Sequence, residues 1–131
     1  MAKVSIHSTP TDFAHQVRSA SGHLLTSDEP ASLGGANAGM APFELYLAAL
    51  ASCTAITLRM YAQRKGWELG QFHAELESSR DADGNFQVHR TLHADGPLDD
   101  SQWARLLDVV ERTPVTLVMK HGATITSSRV T

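Results

Sequence analysis

The 131-residue chain contains one cysteine, Cys53, and this residue lies in the most apolar part of the sequence. The stretch from Leu45 to Leu58 (LYLAALASCTAITL) has no charged residue and no strong helix breaker. A cysteine reacts as its thiolate, and apolar surroundings disfavour that form. Cys53 is therefore either a small hydrophobic core residue or a nucleophile that needs a cation from elsewhere. The candidate cations are Arg18, Arg112, His23 or a residue of a second subunit.

A second set of residues with chemical potential lies in a predicted β-hairpin. In the register that the apolar pattern favours, Glu77 faces His89 and His73 faces His93, with Glu75 beside them on the same face. Imidazoles and carboxylates in such positions are ligands for zinc or other transition metals. The alternative is that this is simply the solvated face of a half-buried sheet. Nothing fixes a four-ligand geometry, so we prefer the solvated face and predict neither a metal nor a cofactor.

The composition excludes several classes of protein. The net charge is −3 and the eleven Lys and Arg residues are scattered, which argues against nucleic-acid binding. The apolar run is shorter than the ~20 residues that span a bilayer, and the first residues lack the apolar core of a signal peptide. One cysteine excludes an internal disulfide and suits a reducing compartment. We predict a single cytoplasmic domain over residues 1–131, without a membrane segment.

The first half of the chain predicts three short strands and one long helix. The strands are placed at Lys3–His7, Ala14–Arg18 and His23–Ser27. A glycine-rich loop follows, and Pro42 suits the first turn of the helix because it has no N–H to lose there. Arg64 and Lys65 favour the negative end of the helix, and Gly66 suits its left-handed cap.

The period of two in a strand fixes the register of the hairpin that follows. A three-residue loop, Ala82-Asp83-Gly84 with Gly84 left-handed, pairs Ala74 with Leu92 and Phe72 with Ala94. The apolar side chains Phe72, Ala74, Leu76, Phe86, Val88 and Leu92 then share one face. The same register puts Arg90 opposite Leu76 on that apolar face, where its guanidinium needs a partner.

The last part of the chain predicts two helices and a strand. Asp99 and Gln102 form a capping-box pair, and Trp103, Leu106, Leu107 and Val110 follow at helical spacing. Thr113 is a plausible N-cap for a short helix from Pro114 to Lys120, which Gly122 closes. Residues Ala123–Val130 are predicted to form a final strand.

This order of elements predicts an α+β fold, with antiparallel sheets packed around a long buried central helix. A helix that is apolar on all sides must be covered on all sides. One sheet and one further helix cover only part of it, so we expect a second copy of the chain to supply the rest. The alternative is that the early strands of a monomer surround the helix. We predict an obligate homodimer with the Met40–Lys65 segment near its centre.

The segment DEPASLGGANAGMAPFELYLAALASCTAITLRMYAQRKGW resembles the OsmC/Ohr family of peroxide-handling proteins. The likeness is closest to the OsmC-like branch, where a Gly-Gly loop, a Pro-aromatic-Glu-Leu opening and a Ser-Cys-Thr helix are typical. The later segment GPLDDSQWARLLDVVERTPVTLV resembles the same branch. The resemblance implies an intertwined homodimer with two sites at the subunit boundary. It also implies that a helix cysteine attacks the O–O bond of an organic hydroperoxide and that a second cysteine resolves the resulting sulfenic acid.

By this resemblance Cys53 matches the attacking cysteine, and Thr113 stands at the position of the resolving cysteine. The family's well-studied peroxidases carry a glutamate directly after the proline that opens the helix. Here that place is Phe43, and the acid follows at Glu44, rotated by ~100° around the helix. An early-strand arginine helps to activate the thiolate in the family, and Arg18 is the only candidate before the helix.

The sequence therefore predicts a one-cysteine reduction of organic hydroperoxides. Cys53 acts with Arg18 and Glu44 at the dimer interface, and an external thiol recycles it. The alternative for the oxidised cysteine is a disulfide with Cys53 of another subunit. Phe43, Leu45 and Ala49 are expected to line an apolar pocket. The alternative is a non-catalytic dimer that binds a small apolar ligand or serves as a scaffold.

Overall fold

The computed structural model describes residues 1–130, and the chain divides into two compact units, residues 1–46 and residues 47 onward. The first unit contains a three-stranded antiparallel sheet in the order β1-β2-β3. Its strands are β1 (Val4–Ser8), β2 (His15–Ser19) and β3 (Leu24–Ser27). The register places Ile6 opposite Val17 and Val17 opposite Leu25. All three predicted strands are confirmed, and each end lies within one residue of its predicted position.

The loop after β3 is organised by one buried carboxylate, that of Asp28, which is 3% exposed. Its oxygens accept backbone N–H bonds from Glu29 (2.7 Å), Ala36 (3.2 Å) and Ala38 (3.1 Å). Between these residues lies a short 3-10 turn, Ala31–Leu33. The carboxylate thus holds both ends of the glycine-rich loop that leads to the long helix.

The long helix, α1, runs from Pro42 to Lys65. Its residues up to 46 belong to the first unit and the remainder to the second. Pro42 occupies the first helical position, and Gly66 follows the end of the helix with a φ of 70°, as predicted. Met40, which we expected in the helix, instead forms a bridge with Ser27. Because the backbone of Met40 pairs with that of Ser27, the helix begins at Pro42, two residues later than expected.

The core of the second unit forms where α1 meets the hairpin and the second helix. The hairpin consists of β4 (Phe72–Arg80) and β5 (Phe86–Ala94). Its register pairs Ala74 with Leu92 and Phe72 with Ala94, and Gly84 has a φ of 82°. The predicted register and three-residue loop are both confirmed. The buried cluster consists of Leu58, Ala62, Leu69, Leu106 and Val110.

Two further helices complete the second unit. Helix α2 (Asp100–Val110) begins with the predicted capping box, in which Asp99 and Gln102 satisfy each other's backbone N–H groups. Helix α3 (Pro114–His121) has Thr113 as its N-cap, and Gly122 donates its N–H to Val118 at its end. Both helices agree with the sequence prediction.

The predicted final strand at Ala123–Val130 is wrong. These residues have no regular secondary structure, and Ile125 and Val130 are 85% and 95% exposed. A strand requires a neighbouring strand to accept and donate its backbone hydrogen bonds. The described part of this chain provides no such partner for the segment.

Only one stripe of α1 is buried, which differs from the burial on all sides that we expected. The buried residues are Leu50, Thr54, Leu58 and Ala62, spaced four apart. Ile56 and Met60, on other sides of the helix, are 58% and 47% exposed. By length and composition alone, α1 could also span a membrane, as could the core helices of many soluble proteins. In the fold, 22% of its most apolar 18-residue segment is buried. The chain thus fully buries one stripe of α1 and leaves the remaining apolar positions half-buried or exposed.

Because the Asp28 carboxylate is buried and hydrogen-bonded, we expect the stability of the protein to depend on pH. The pKa of Asp28 is lowered, chiefly by the hydrogen bond that its carboxylate accepts from the Ala38 N–H. Burial of the carboxylate raises the pKa, but the hydrogen bonds from the Glu29 and Ala36 N–H groups lower it further. A lowered folded-state pKa gives stability that is present above the unfolded value of about 3.9 and is lost as the pH falls through the folded value. We expect Asp28→Asn to lower the urea midpoint at pH 7, and the difference from wild type to shrink between pH 5 and pH 3.

The matched control is Asp12→Asn, at an exposed position of the same unit. Its urea midpoint is expected to follow that of the wild type throughout this pH range. A deficit of Asp28→Asn that stays constant from pH 7 to pH 3 would contradict the role of the ionised carboxylate.

Candidate functional site

Cys53 lies in the middle of α1, at the edge of its buried stripe. The thiol is free and partly buried, so it is neither sealed in the core nor fully exposed. Its Sγ atom lies 3.9 Å from the Thr57 hydroxyl one turn further along the helix. Within residues 1–130 this is the thiol's only hydrogen-bond contact, and it comes from a neutral group. A thiolate here would still need a cation for its stabilisation.

The residue after Cys53, Thr54, belongs to a buried polar network centred on Arg90. The Arg90 guanidinium donates to the hydroxyls of Thr54 (3.0 Å) and Thr116 (2.9 Å). It also donates to the Val110 carbonyl (3.1 Å) and to the Glu111 carboxylate (3.3 Å). The arginine side chain is only 11% exposed. Four acceptors from α1, α2 and α3 and their connections thus satisfy a guanidinium on the apolar face of β5.

The sequence pattern contained the signal for this network, although it did not reveal the partners. Arg90 lies opposite Leu76 in the sheet, as the register predicted. An arginine on the buried face of a strand must find acceptors, because a buried unpaired charge is costly. Which residues accept its hydrogen bonds depends on the packing of helices that are distant in the sequence.

Thr113 extends the same network at the position where the resemblance expects a resolving cysteine. It is 1% exposed, and its hydroxyl lies 2.6 Å from that of Thr116. The Thr116 hydroxyl in turn donates to the Val110 carbonyl (3.1 Å). The Thr113 oxygen also accepts the backbone N–H of Thr116 as the cap of α3. The position therefore serves packing and capping, and it offers no thiol chemistry.

The other two predicted catalytic residues belong to the first unit. Arg18 is an exposed residue of β2, paired with Ser5 on one side and Leu24 on the other. The Glu44 carboxylate accepts the backbone N–H of Ala41 at 2.9 Å, which caps the start of α1. Because Cys53 belongs to the second unit, a joint action of these three residues stays a prediction.

The predicted pocket residues do not line either of two clefts on the second unit. One cleft, of about 320 Å³, is bordered by an exposed side of α1 and by the hairpin; its residues are Ala55, Ile56, Arg59, Met60 and Phe72. The other, of about 460 Å³, lies around the loop after α1, between Trp67 and Pro97. Phe43 is 59% exposed, Ala49 is exposed, and Leu45 is half-buried. Their role in a substrate pocket stays a prediction.

The exposed hairpin face has the side-chain pairing that the register predicted. Glu77 lies opposite His89, and His73 lies opposite His93. In the part of the chain that the structure describes, no three His, Cys, Asp or Glu side chains are grouped so that they could hold a metal ion. A four-ligand zinc site of the kind considered from the sequence is therefore not assembled by the described residues.

Comparison with known families identifies one match that covers most of the chain. The profile described as "OsmC-like protein" matches residues 34–128. This range includes the Gly-Gly loop, all of α1 with Cys53, and both later helices. None of the curated proteins matches this sequence.

Several solved structures share the fold. An OsmC-like protein from Mycoplasma pneumoniae superposes with a TM-score of 0.72 at 19% identity, with coverage of 92% of this chain and 87% of that chain. An organic hydroperoxide resistance protein OsmC from Legionella pneumophila gives 0.65 at 20% identity, with coverage of 92% and 89%. The organic hydroperoxide resistance protein OhrB of Bacillus subtilis gives 0.62 at 23% identity, with coverage of 92% and 90%. At these identities the likeness establishes the α+β fold.

The buried network makes Arg90 a testable determinant of stability. We expect Arg90→Met to lower the free energy of unfolding by about 2–3 kcal/mol, because buried acceptors lose their donor. Arg90→Lys should recover only part of this loss, since one ammonium cannot reproduce the planar fork of donors. Urea unfolding monitored by circular dichroism measures both differences.

The control is Arg80→Met, in the same hairpin. Arg80 is exposed, donates to the Gly84 carbonyl and lies over the Phe86 ring. Its replacement is expected to cost less than about 1 kcal/mol. Equal losses for the variants at positions 90 and 80 would show that the network does not stabilise the fold.

Proposed function

Because the chain belongs to the OsmC-like protein family, we propose that it reduces organic hydroperoxides in defence against peroxide stress, with Cys53 as the reacting thiol. The observation that carries this proposal is a single free, partly accessible thiol in the middle of the α1 helix, inside the matched region. Two proteins of the same fold are named organic hydroperoxide resistance proteins.

The proposed reaction takes place in two stages. The Cys53 thiolate attacks the terminal, hydrogen-bearing oxygen of the hydroperoxide, and the O–O bond breaks. The cysteine is oxidised to a sulfenic acid, while the other oxygen takes up a proton and leaves as an alcohol. One molecule of external thiol then condenses with the sulfenic acid to give a mixed disulfide and water. A second external thiol attacks the external sulfur of this mixed disulfide. The Cys53 thiol is released, and the two external thiols leave joined as a disulfide.

The need for an external thiol follows from the chain's own residues. The sequence contains no second cysteine, and Thr113 holds the position where the resemblance expects one. An intramolecular disulfide is therefore impossible. We propose that the protein works in a reducing compartment such as the cytoplasm, where small thiols or thiol proteins recycle it.

Activation of the thiol is proposed to need a second subunit. Within residues 1–130 the thiol's hydrogen-bond contact is the neutral Thr57 hydroxyl, whereas a reactive thiolate requires a nearby cation. Arg18 is exposed and forms no ion pair in the described residues, so its guanidinium is available. We propose that Arg18 of one copy or the other approaches Cys53 in the dimer, with Glu44 orienting it.

The homodimer itself is proposed from the uncovered surface of α1. Ile56 and Met60 each expose about half of their surface and border the cleft of about 320 Å³ together with Phe72. Full burial of such a side chain contributes roughly 1.5–3 kcal/mol, so exposure in a monomer forgoes a large stabilisation. A second copy of the chain carries the same apolar surface, and in a two-fold symmetric dimer the two surfaces would cover each other.

We propose that the substrate is an apolar hydroperoxide rather than hydrogen peroxide. Phe43, Leu45 and Ala49 precede Cys53 by one to three turns on α1 and expose part of their surface. Apolar side chains around a reactive group favour a ligand with an organic tail.

The second candidate function is a non-catalytic dimer that binds a small apolar ligand or acts as a scaffold. Two observations favour it. The thiol has a neutral hydrogen-bond partner, and the Glu44 carboxylate is engaged in capping α1. In this case Cys53 is a helix-packing residue and peroxide chemistry is absent.

A brief pulse of sub-stoichiometric cumene hydroperoxide separates the two functions. Under the enzymatic proposal, trapping with dimedone and mass spectrometry should find one sulfenic-acid adduct on Cys53, formed faster than on free cysteine. Cys53→Ser should abolish hydroperoxide consumption, whereas Ser52→Ala, at an exposed neighbouring position of α1, should retain it. Oxidation of Cys53 no faster than that of free cysteine would refute the peroxidase.

Sedimentation velocity at micromolar concentration tests the dimer. The mass of one chain is 14.2 kDa, and we expect a species of twice that mass. Ile56→Glu should shift the distribution toward monomer, because it places a charge in an apolar interface. Gln63→Glu, at an exposed polar position of the same helix, should remain dimeric. A folded wild-type monomer would contradict the dimer.

A further inference from the structure

The exposed face of the β4–β5 hairpin carries a pair of histidines that the proposed peroxide chemistry does not use. His73 and His93 are directly opposite each other across the two strands, and both are exposed. Their ring centroids are 4.9 Å apart, with the ring planes inclined by 36°. We propose that this pair chelates a divalent transition-metal ion, Cu²⁺ or Ni²⁺ in preference to a main-group cation.

The separation of the rings fits a metal ion bound between them. A metal bound to an imidazole nitrogen at 2.0–2.1 Å lies about 3.2 Å from the ring centroid. With a nitrogen–metal–nitrogen angle between 90° and 110°, the two centroids are then about 4.5–5.2 Å apart. The observed 4.9 Å falls within this interval. Because paired strands fix the two backbone positions, the sheet keeps the two imidazoles within reach of one ion before any metal binds.

The electrostatic surroundings favour a cation. Glu75 and Glu77 occupy the next two exposed positions of β4 after His73. On β5 the corresponding exposed positions are His89 and Thr91. This part of the face thus carries two carboxylates and no lysine or arginine, so no fixed positive charge opposes a metal ion here.

The site has two protein ligands, which determines its chemistry. No third His, Cys, Asp or Glu in the described residues joins the pair in a metal-binding group, so water must fill the other positions. Such a site is reversible and open to solvent, unlike a closed structural zinc site. Imidazole ligands bind Cu²⁺ and Ni²⁺ more tightly than Co²⁺ or Mn²⁺, and they do not select Mg²⁺ or Ca²⁺.

Titration calorimetry tests this in the Cys53→Ser background, which removes the competing thiol. We expect one Cu²⁺ ion per chain, with affinity decreasing from Cu²⁺ to Ni²⁺ to Co²⁺. His73→Asn and His93→Asn should each weaken Cu²⁺ binding by about tenfold or more, because one of two ligands is lost. His89→Asn, on the same face of β5, is the matched control and should bind as its parent does.

Paramagnetic broadening locates the ion independently. In ¹H–¹⁵N spectra, sub-stoichiometric Cu²⁺ should broaden the amide signals around residues 72–74 and 92–94 first. Both substitutions are at exposed positions, and an unchanged circular dichroism spectrum verifies that the variants fold. Affinity that is unchanged in His73→Asn and His93→Asn, or broadening centred on another part of the chain, would overturn the site.

Discussion

An apolar helix that its own chain buries fully along one stripe only is the constraint from which the other features follow. Leu50, Thr54, Leu58 and Ala62 are buried, while Ile56 and Met60 are 58% and 47% exposed. Leaving a large apolar side chain in water forgoes roughly 1.5–3 kcal/mol, a substantial fraction of the stability of a small domain. The same helix carries the only thiol, so whatever covers α1 also determines the environment of Cys53.

The buried stripe is not purely apolar, and its polar member connects the thiol position to the later helices. Thr54 accepts a hydrogen bond from Arg90, and the guanidinium continues to Thr116 and the Val110 carbonyl. Burying a charge is tolerable only where its donors are satisfied, and the described residues supply four acceptors. The network fixes α1, β5 and the α2–α3 connection against one another, as a purely apolar contact would not.

The Thr113 hydroxyl has a structural role in this fold. Its oxygen caps α3 and contacts Thr116, and the residue is buried. A hydroxyl performs these tasks as well as or better than a thiol, which is a weak hydrogen-bonding group. In the proposed reaction, recycling of Cys53 therefore depends on a thiol from outside the chain.

The local features of this protein were determined by its sequence. The period-two pattern and Gly84 selected one hairpin register, which also placed His73 opposite His93 and Arg90 on the buried face. Asp99, Gln102 and Thr113 defined helix starts because a cap acts on N–H groups within three residues. Tertiary structure alone decided which stripe of α1 is buried, which acceptors satisfy Arg90, and that Ala123–Val130 has no strand to pair with. These outcomes depend on surfaces brought together from distant parts of the chain, and the composition of a short segment carries no information about such neighbours.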